Sequence, residues 1–244
     1  MRCRRISLAG MSLTVALVSA ALVWLGGCGD PPPKPYGEEH ALEMPGLQTD
    51  VWAVAPAINL SGHSEVDPIL QADLLYQQLQ SVHGLTVVPV DRVVQVYQGL
   101  NIERISSLEQ AALVCDILQV DAIIVPTVTA YDPYTPPKMA ASLALFRKPT
   151  DYVRPVATDA LSPSGRPKGG KADLKQAVGM YDAADGSTRK SLQIFAEGRT
   201  DPNGPMAERE YFLSMDRYSG YVYHQLIADL LGVPPEPIDT EKSK

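Results

Sequence analysis

VWAVAPAI (residues 51–58), LTVVPV (85–90) and DAIIVPTVTA (121–130) are three short apolar runs rich in β-branched residues. Their length and composition fit buried strands. The segments between them have helical spacing. Asp67-Pro68 opens the first, with Asp as N-cap and Pro in the first turn. Ile69, Ala72, Leu75, Leu79 and Val82 then recur every three or four residues, and Gly84 marks the stop. Asp91 is expected to cap a short helix carrying Val93, Val94 and Tyr97, ended by Gly99. Ser107-Leu108-Glu109-Gln110 has capping-box form and starts a helix with Leu108, Ala111, Ala112, Cys115 and Leu118 on one side. Strand, helix, strand, helix, strand predicts an α/β domain of three layers, with parallel pairing and helical crossovers.

Pro56, Pro89 and Pro126 each follow an apolar run of three or four residues. Proline removes a ladder donor, so each is expected where regular pairing ends. All three would then lie along one rim of the sheet, the side on which open α/β sheets bind ligands.

The C-terminal half extends the sheet. Residues 138–146 (KMAASLALF) read as a strand, and 175–183 and 188–196 flank Asp185-Gly186, a hairpin signal. These strands are expected to pair in antiparallel fashion. Residues 217–231 form a helix, with Tyr218, Val222, Leu226 and Leu230 about four apart and Gly232 and Pro234-Pro235 as stops.

The N-terminus reads as an address. Arg2, Arg4 and Arg5 precede an apolar run over 6–25 that carries no charge, and Leu25-Gly26-Gly27-Cys28 follows. This is the layout of a secretory signal. The four-residue end resembles the bacterial lipobox, which implies cleavage between Gly27 and Cys28 and acylation of Cys28. An uncleaved anchor is the rival, since twenty apolar residues are about enough to cross a bilayer. Either reading puts the remaining chain outside the cytoplasm. Residues 28–48 contain five prolines and read as a tether. The single domain is then expected over 49–233, followed by a flexible tail over 234–244. Gly29, not Asp, follows Cys28. In enterobacteria-like sorting that favours the outer over the inner membrane.

With Cys3 removed and Cys28 acylated, Cys115 has no partner for a disulfide and is expected to be a buried hydrophobe.

The chain has 244 residues and a net charge of -7. Without residues 1–27 there are 18 basic residues against 28 acidic ones. That balance argues against nucleic-acid binding, which depends on Lys and Arg to neutralise phosphates. Residues 147–175 run the other way, with seven basic and three acidic residues, four prolines and three glycines. They read as an insertion. Arg154, Arg166, Lys168 and Lys171 within it are candidates for contact with an anionic partner such as lipid headgroups or cell-wall polymer.

Chemistry-bearing patterns are sparse. His40, His63, His83 and His224 lack metal-ligand spacing, so no metal or cofactor is expected. Ser61, His63 and Asp67 lie close together without a nucleophile elbow, and they read better as a polar loop before a helix cap. Tyr131, Asp132, Tyr134 and Lys138 form the densest polar–aromatic group and are candidates for contact with a protein partner.

Residues 51–62, the Asp67 helix, 86–90, the Ser107 helix, 120–125, 131–138 (YDPYTPPK) and 180–186 (MYDAADG) together resemble one lipoprotein superfamily. It includes the curli secretion channel lipoprotein and the lipoprotein activator of penicillin-binding proteins. The amino-terminal domain of the Tol-system propeller protein is related in shape. The resemblance spans roughly 50–146 and 175–231. It implies a small mixed α/β domain on a lipid anchor, with no catalytic residues. It departs from the curli channel at 147–175, which is too charged and too rich in Pro and Gly for membrane-crossing strands. The expected function is a non-enzymatic interaction or accessory module of a bacterial envelope. The alternatives are a subunit of an oligomeric outer-membrane export complex, with self-association, and an envelope hydrolase using Ser61, His63 and Asp67.

Overall fold

A computed structural model describes residues 36–37, 42–43, 50–148, 173–201 and 203–233. The signal, Gly27 and Cys28, nearly all of the tether, the basic residues Arg154, Arg166, Lys168 and Lys171, and the tail lie outside the described residues.

The strands are β1 (Leu42–Glu43), β2 (Asp50–Val54), β3 (Ile58–Asn59), β4 (Val82–His83), β5 (Leu85–Val88), β6 (Ala122–Asp132), β7 (Lys138–Arg147) and β8 (Asp173–Asp182). The main sheet runs β5-β2-β6-β7-β8, with β3 also on β6. β5, β2, β3 and β6 are parallel, whereas β6, β7 and β8 are antiparallel. The helices are α1 (Pro68–Gln80), α2 (Val90–Leu100), α3 (Leu108–Leu118), α4 (Gly186–Ala196), α5 (Glu210–Leu213) and α6 (Met215–Leu231). The expected mixed α/β fold, with its strand–helix alternation and C-terminal helix, is present.

Strand alternation divides the core between two faces of the sheet. Trp52, Val54, Ile124 and Leu143 face one way and pack with Leu75, Leu79, Leu192, Tyr221 and Leu226 of α1, α4 and α6. Ala53, Ala55, Ile123 and Phe146 face the other way and pack with Val93, Tyr97, Ala111, Val114 and Cys115 of α2 and α3. The sheet is thus the middle of three layers.

Local chemistry sets the helix ends. Asp67 Oδ1 accepts from the Ile69 and Leu70 N–H groups at 2.7 and 3.3 Å. Ser107 Oγ accepts from Gln110 N–H at 3.2 Å, while Gln110 Oε1 reaches back to Ser106 N–H at 2.8 Å. The N-terminal edge of the sheet is pinned by Asp121, whose carboxylate accepts from Val51 N–H at 2.9 Å, and by the Arg147–Asp50 ion pair at 2.6 Å.

Several sequence expectations are corrected. Residues 188–196 are not a strand: Asp185 is an N-cap, its Oδ2 accepting from Ser187 and Thr188 N–H at 3.0 Å each, and α4 follows. Its buried residues Leu192, Phe195 and Ala196 are three or four apart, which is helical spacing. The antiparallel extension consists instead of β6, β7 and β8. Val90 opens α2 and does not end β5, so Pro89, with its fixed φ of -56°, takes the N-cap position expected for Asp91. α2 runs through Gly99 and stops at Asn101 in the left-handed conformation (φ 54°). α1 ends at Ser81, with the stretch Val82–His83 before Gly84 forming β4.

Pro126 does not end its strand, for β6 continues six residues past it. Ile124 and Val128 turn their carbonyls toward β2 and β3, accepting from Ala55 and Leu60 N–H at 2.9 and 2.8 Å. Pro126 has the same parity, so its missing donor faces the gap where β2 has ended at Val54 and β3 has yet to begin at Ile58. Pairing with β7 on the other side is undisturbed there.

Candidate functional site

The loops after β3 and β6 emerge at the same end of the sheet, because these strands are parallel and paired. The first carries Ser61, His63 and Asp67. Ser61 Oγ donates to Asn59 Oδ1 at 2.7 Å and accepts from His63 N–H at 3.2 Å. Asp67 is occupied as the cap of α1. The His63 ring stands 6.4 Å from the Tyr131 ring. The Ser61 and Asp67 side chains are thus engaged in shaping the loop and capping the helix, and His63 takes part through its backbone.

The second loop divides the Tyr131–Lys138 group. β6 runs through Asp132, so alternation turns Tyr131 inward, where it is 8% exposed and burial raises its phenol pKa. Asp132 Oδ1 accepts from Tyr134 N–H at 3.1 Å, forming a local turn. Lys138 pairs with Asp182 of β8 at 3.5 Å. Asp132 is exposed and Lys138 partly so, and Tyr134, 80% exposed, is the aromatic member of the group that a partner could reach.

Sequence reasoning missed an aromatic cluster between α4 and α6. A cavity of about 200 Å³ there is lined by Tyr181, Ser191, Phe195, Tyr221 and His224, among others. The Phe195 ring lies 4.9 Å from His224 and 5.6 Å from Tyr221, and the Arg199 guanidinium sits 4.0 Å above it. His224 is 5% exposed, and its Nδ1 is buried without a hydrogen-bond partner. Burial, then the charge of Arg199, pull its pKa down to about 3. Burial pushes the phenols of Tyr181 and Tyr221 up. These groups are therefore held neutral, away from the pKa near 7 that suits a general acid or base. The run YSGYVYH (218–224) was the available signal. Phe195 joins that run because 188–196 is helical and not the strand the sequence predicts.

The second unanticipated feature is the sheet face of β7 and β8 turned away from α1, α4 and α6. Leu174, Val178 and Met180 stand exposed on it. Among the described residues, no group of three or more His, Cys, Asp or Glu side chains could hold a metal, and no helix is long and apolar enough to cross a membrane.

No family model and no curated protein matches the chain. Several solved structures are similar to it at low identity. The C-terminal domain of LpoB from Salmonella enterica is 12% identical, covers 55% of this chain and 86% of its own, and gives a TM-score of 0.34. Lipoprotein GNA1162 from Neisseria meningitidis is 16% identical, with 52% and 78% covered and a TM-score of 0.31. The PelC dodecamer subunit from Paraburkholderia phytofirmans is 8% identical, with 80% and 93% covered and a TM-score of 0.35. The likeness is one of strand and helix arrangement alone.

Proposed function

We propose that this chain is a lipid-anchored protein of a bacterial envelope, attached through Cys28, that works as an accessory module by contacting other proteins and not by catalysing a reaction. The observation that carries the reading is the N-terminal order: basic head, apolar run, Leu25-Gly26-Gly27-Cys28, then a proline-rich tether. Two or more acyl chains would anchor it stably, since one chain is marginal. The engagement of the Ser61 and Asp67 side chains in loop hydrogen bonds and capping supports the non-enzymatic part. The exposed ring of Tyr134 is the contact residue of choice in the β6–β7 loop. Mass spectrometry of the mature N-terminus tests the anchor: a diacylated or triacylated Cys28 is expected, and an intact Met1 or an unmodified Cys28 overturns it. Crosslinking in intact envelopes tests the contact: the partner band recovered with the native chain should weaken in Tyr134→Ala. An unchanged crosslinking pattern removes this loop from the reading.

A further inference from the structure

Among the described residues β8 is an edge strand of ten residues, and the orientation of its backbone can be read from one bond. Ala183 N–H donates to Pro137 O at 3.0 Å. The ladder between β7 and β8 runs without a register shift from Lys138↔Asp182 to Arg147↔Asp173. In antiparallel strands the N–H and C=O of one residue point to the same side, and the side alternates. The odd-numbered residues of β8 therefore bond to β7. Leu174, Gln176, Val178 and Met180 turn their backbone groups outward.

The side chains of these four residues share one face. Ala177 is buried on the side of α1 and α6, so its even-numbered neighbours point the other way. Leu174, Val178 and Met180 are 57%, 70% and 66% exposed there. Beside them stand Ala140, Ser142 and Ala144 of β7, each half-buried. No charge occurs among these residues. Natural edge strands are usually guarded by Lys, Pro, a bulge or a covering element. The outward positions of β8 are Leu, Gln, Val and Met.

We propose that β8 pairs in antiparallel fashion with β8 of a second copy of this chain, across a two-fold axis, joining two sheets into one. Two features select a second copy as the occupant. The chain is acidic, at -7, so two copies repel each other overall, whereas this strip brings no charge to the contact. The strip is also complementary to itself. With the axis at Ala177, the outward rows meet each other. Leu174 then lies across from Met180 of the second copy and Gln176 across from Val178, each pair occurring twice. Moving the axis to Val178 would set Leu174 against Asp182. On the helix side, Lys175 lies across from Gly179 of the second copy, so no like charges are opposed. This proposal goes beyond the reading above and is decided by oligomeric state, not by the lipid on Cys28.

Sedimentation velocity on the purified full chain in detergent is expected to show a dimer at micromolar concentration. Val178→Lys, at an exposed position, should keep the melting profile of the native chain and weaken the dimer at least tenfold. The double variant Gln176→Cys/Val178→Cys should form a disulfide-linked dimer on mild oxidation, because those positions face each other, while either single variant should form far less. The cysteine pair is a mild change and keeps the test open should Val178→Lys fail to fold. A native chain that stays monomeric overturns the proposal. So does an assembly larger than a dimer that Val178→Lys leaves intact, or single variants that crosslink as well as the double one.

Discussion

The Tyr223 hydroxyl donates to Gln71 Oε1 at 2.9 Å, joining α6 to α1 across 152 positions of sequence. Both residues are essentially buried, at 0% and 1% exposure. A buried amide oxygen deprived of its donor keeps its desolvation cost, so Tyr223→Phe should destabilise the fold by roughly 1–3 kcal/mol. Gln71→Met should do likewise by stranding the hydroxyl. The double variant should cost less than the two single changes together, since it removes both polar partners. Urea unfolding of the four proteins measures this, and strict additivity would mean that the bond contributes nothing to their coupling.

His224 should make the protein sensitive to acid. Its pKa is drawn down from 6.5 to about 3, first by burial and then by Arg199. Above pH 6.5 the imidazole is neutral in both folded and unfolded chains. Between those two values the unfolded chain takes up a proton that the folded chain refuses, so stability falls as pH falls. Asp73 and Asp229 oppose this, because burial raises their pKa values in the folded state. The clean measurement is therefore the difference between the native chain and His224→Gln. Their melting temperatures should converge as pH drops from 7 to 4, with the native chain losing stability faster. Parallel curves would mean that His224 titrates normally.

The parts of the fold legible in the sequence are those set by local chemistry. Asp67 and Ser107 cap helices through bonds to residues two or three positions away, and the apolar runs that became β2, β5 and β6 have strand length whatever packs on them. Asp185-Gly186 illustrates the limit. The same two residues can make a hairpin turn or begin a helix, and the choice rests on Leu192 and Phe195 meeting α6, which is a distant contact. Asn101 replacing Gly99 as the stop of α2 is a nearer miss, since Asn also accepts the left-handed conformation. In the candidate contact loop, the chemistry was visible but not the phase of the strand. Extending β6 to Asp132 buries Tyr131 and leaves Tyr134 outside. The open face of β7 and β8 was invisible for a related reason: it depends on which strands the crossover helices α2 and α3 reach.

Gly179 makes room for its neighbour on the same face of β8. A β-carbon at this position would stand 2.6 Å from Tyr181 Cε2, inside van der Waals contact. The Tyr181 ring is not free to swing away without loss, for it packs edge-on against Tyr221 at 5.8 Å. Gly179→Ala should therefore destabilise by about 1–3 kcal/mol, the usual scale for overpacking. In a Tyr181→Ala background the same change should cost much less. Thermal melts of the two pairs decide it, and an equal cost in both backgrounds would place the strain elsewhere.

Cys115 should be chemically silent. It is fully buried between α3 and the sheet, and burial pushes its thiol up to about 12, with Lys148 pulling the other way. A thiol reacts as thiolate, so low thiolate content and lack of access act together to suppress reaction. Iodoacetamide at pH 8 should modify the peptide containing Cys115 on the order of 100-fold more slowly in the folded protein than in urea. Cys115→Ala should remove a packed sulfur and cost stability without changing any contact made at the surface. Native-state labelling at the rate of a free thiol would contradict the burial. It would also reopen nucleophilic chemistry at this position, which the neutral, enclosed thiol now argues against.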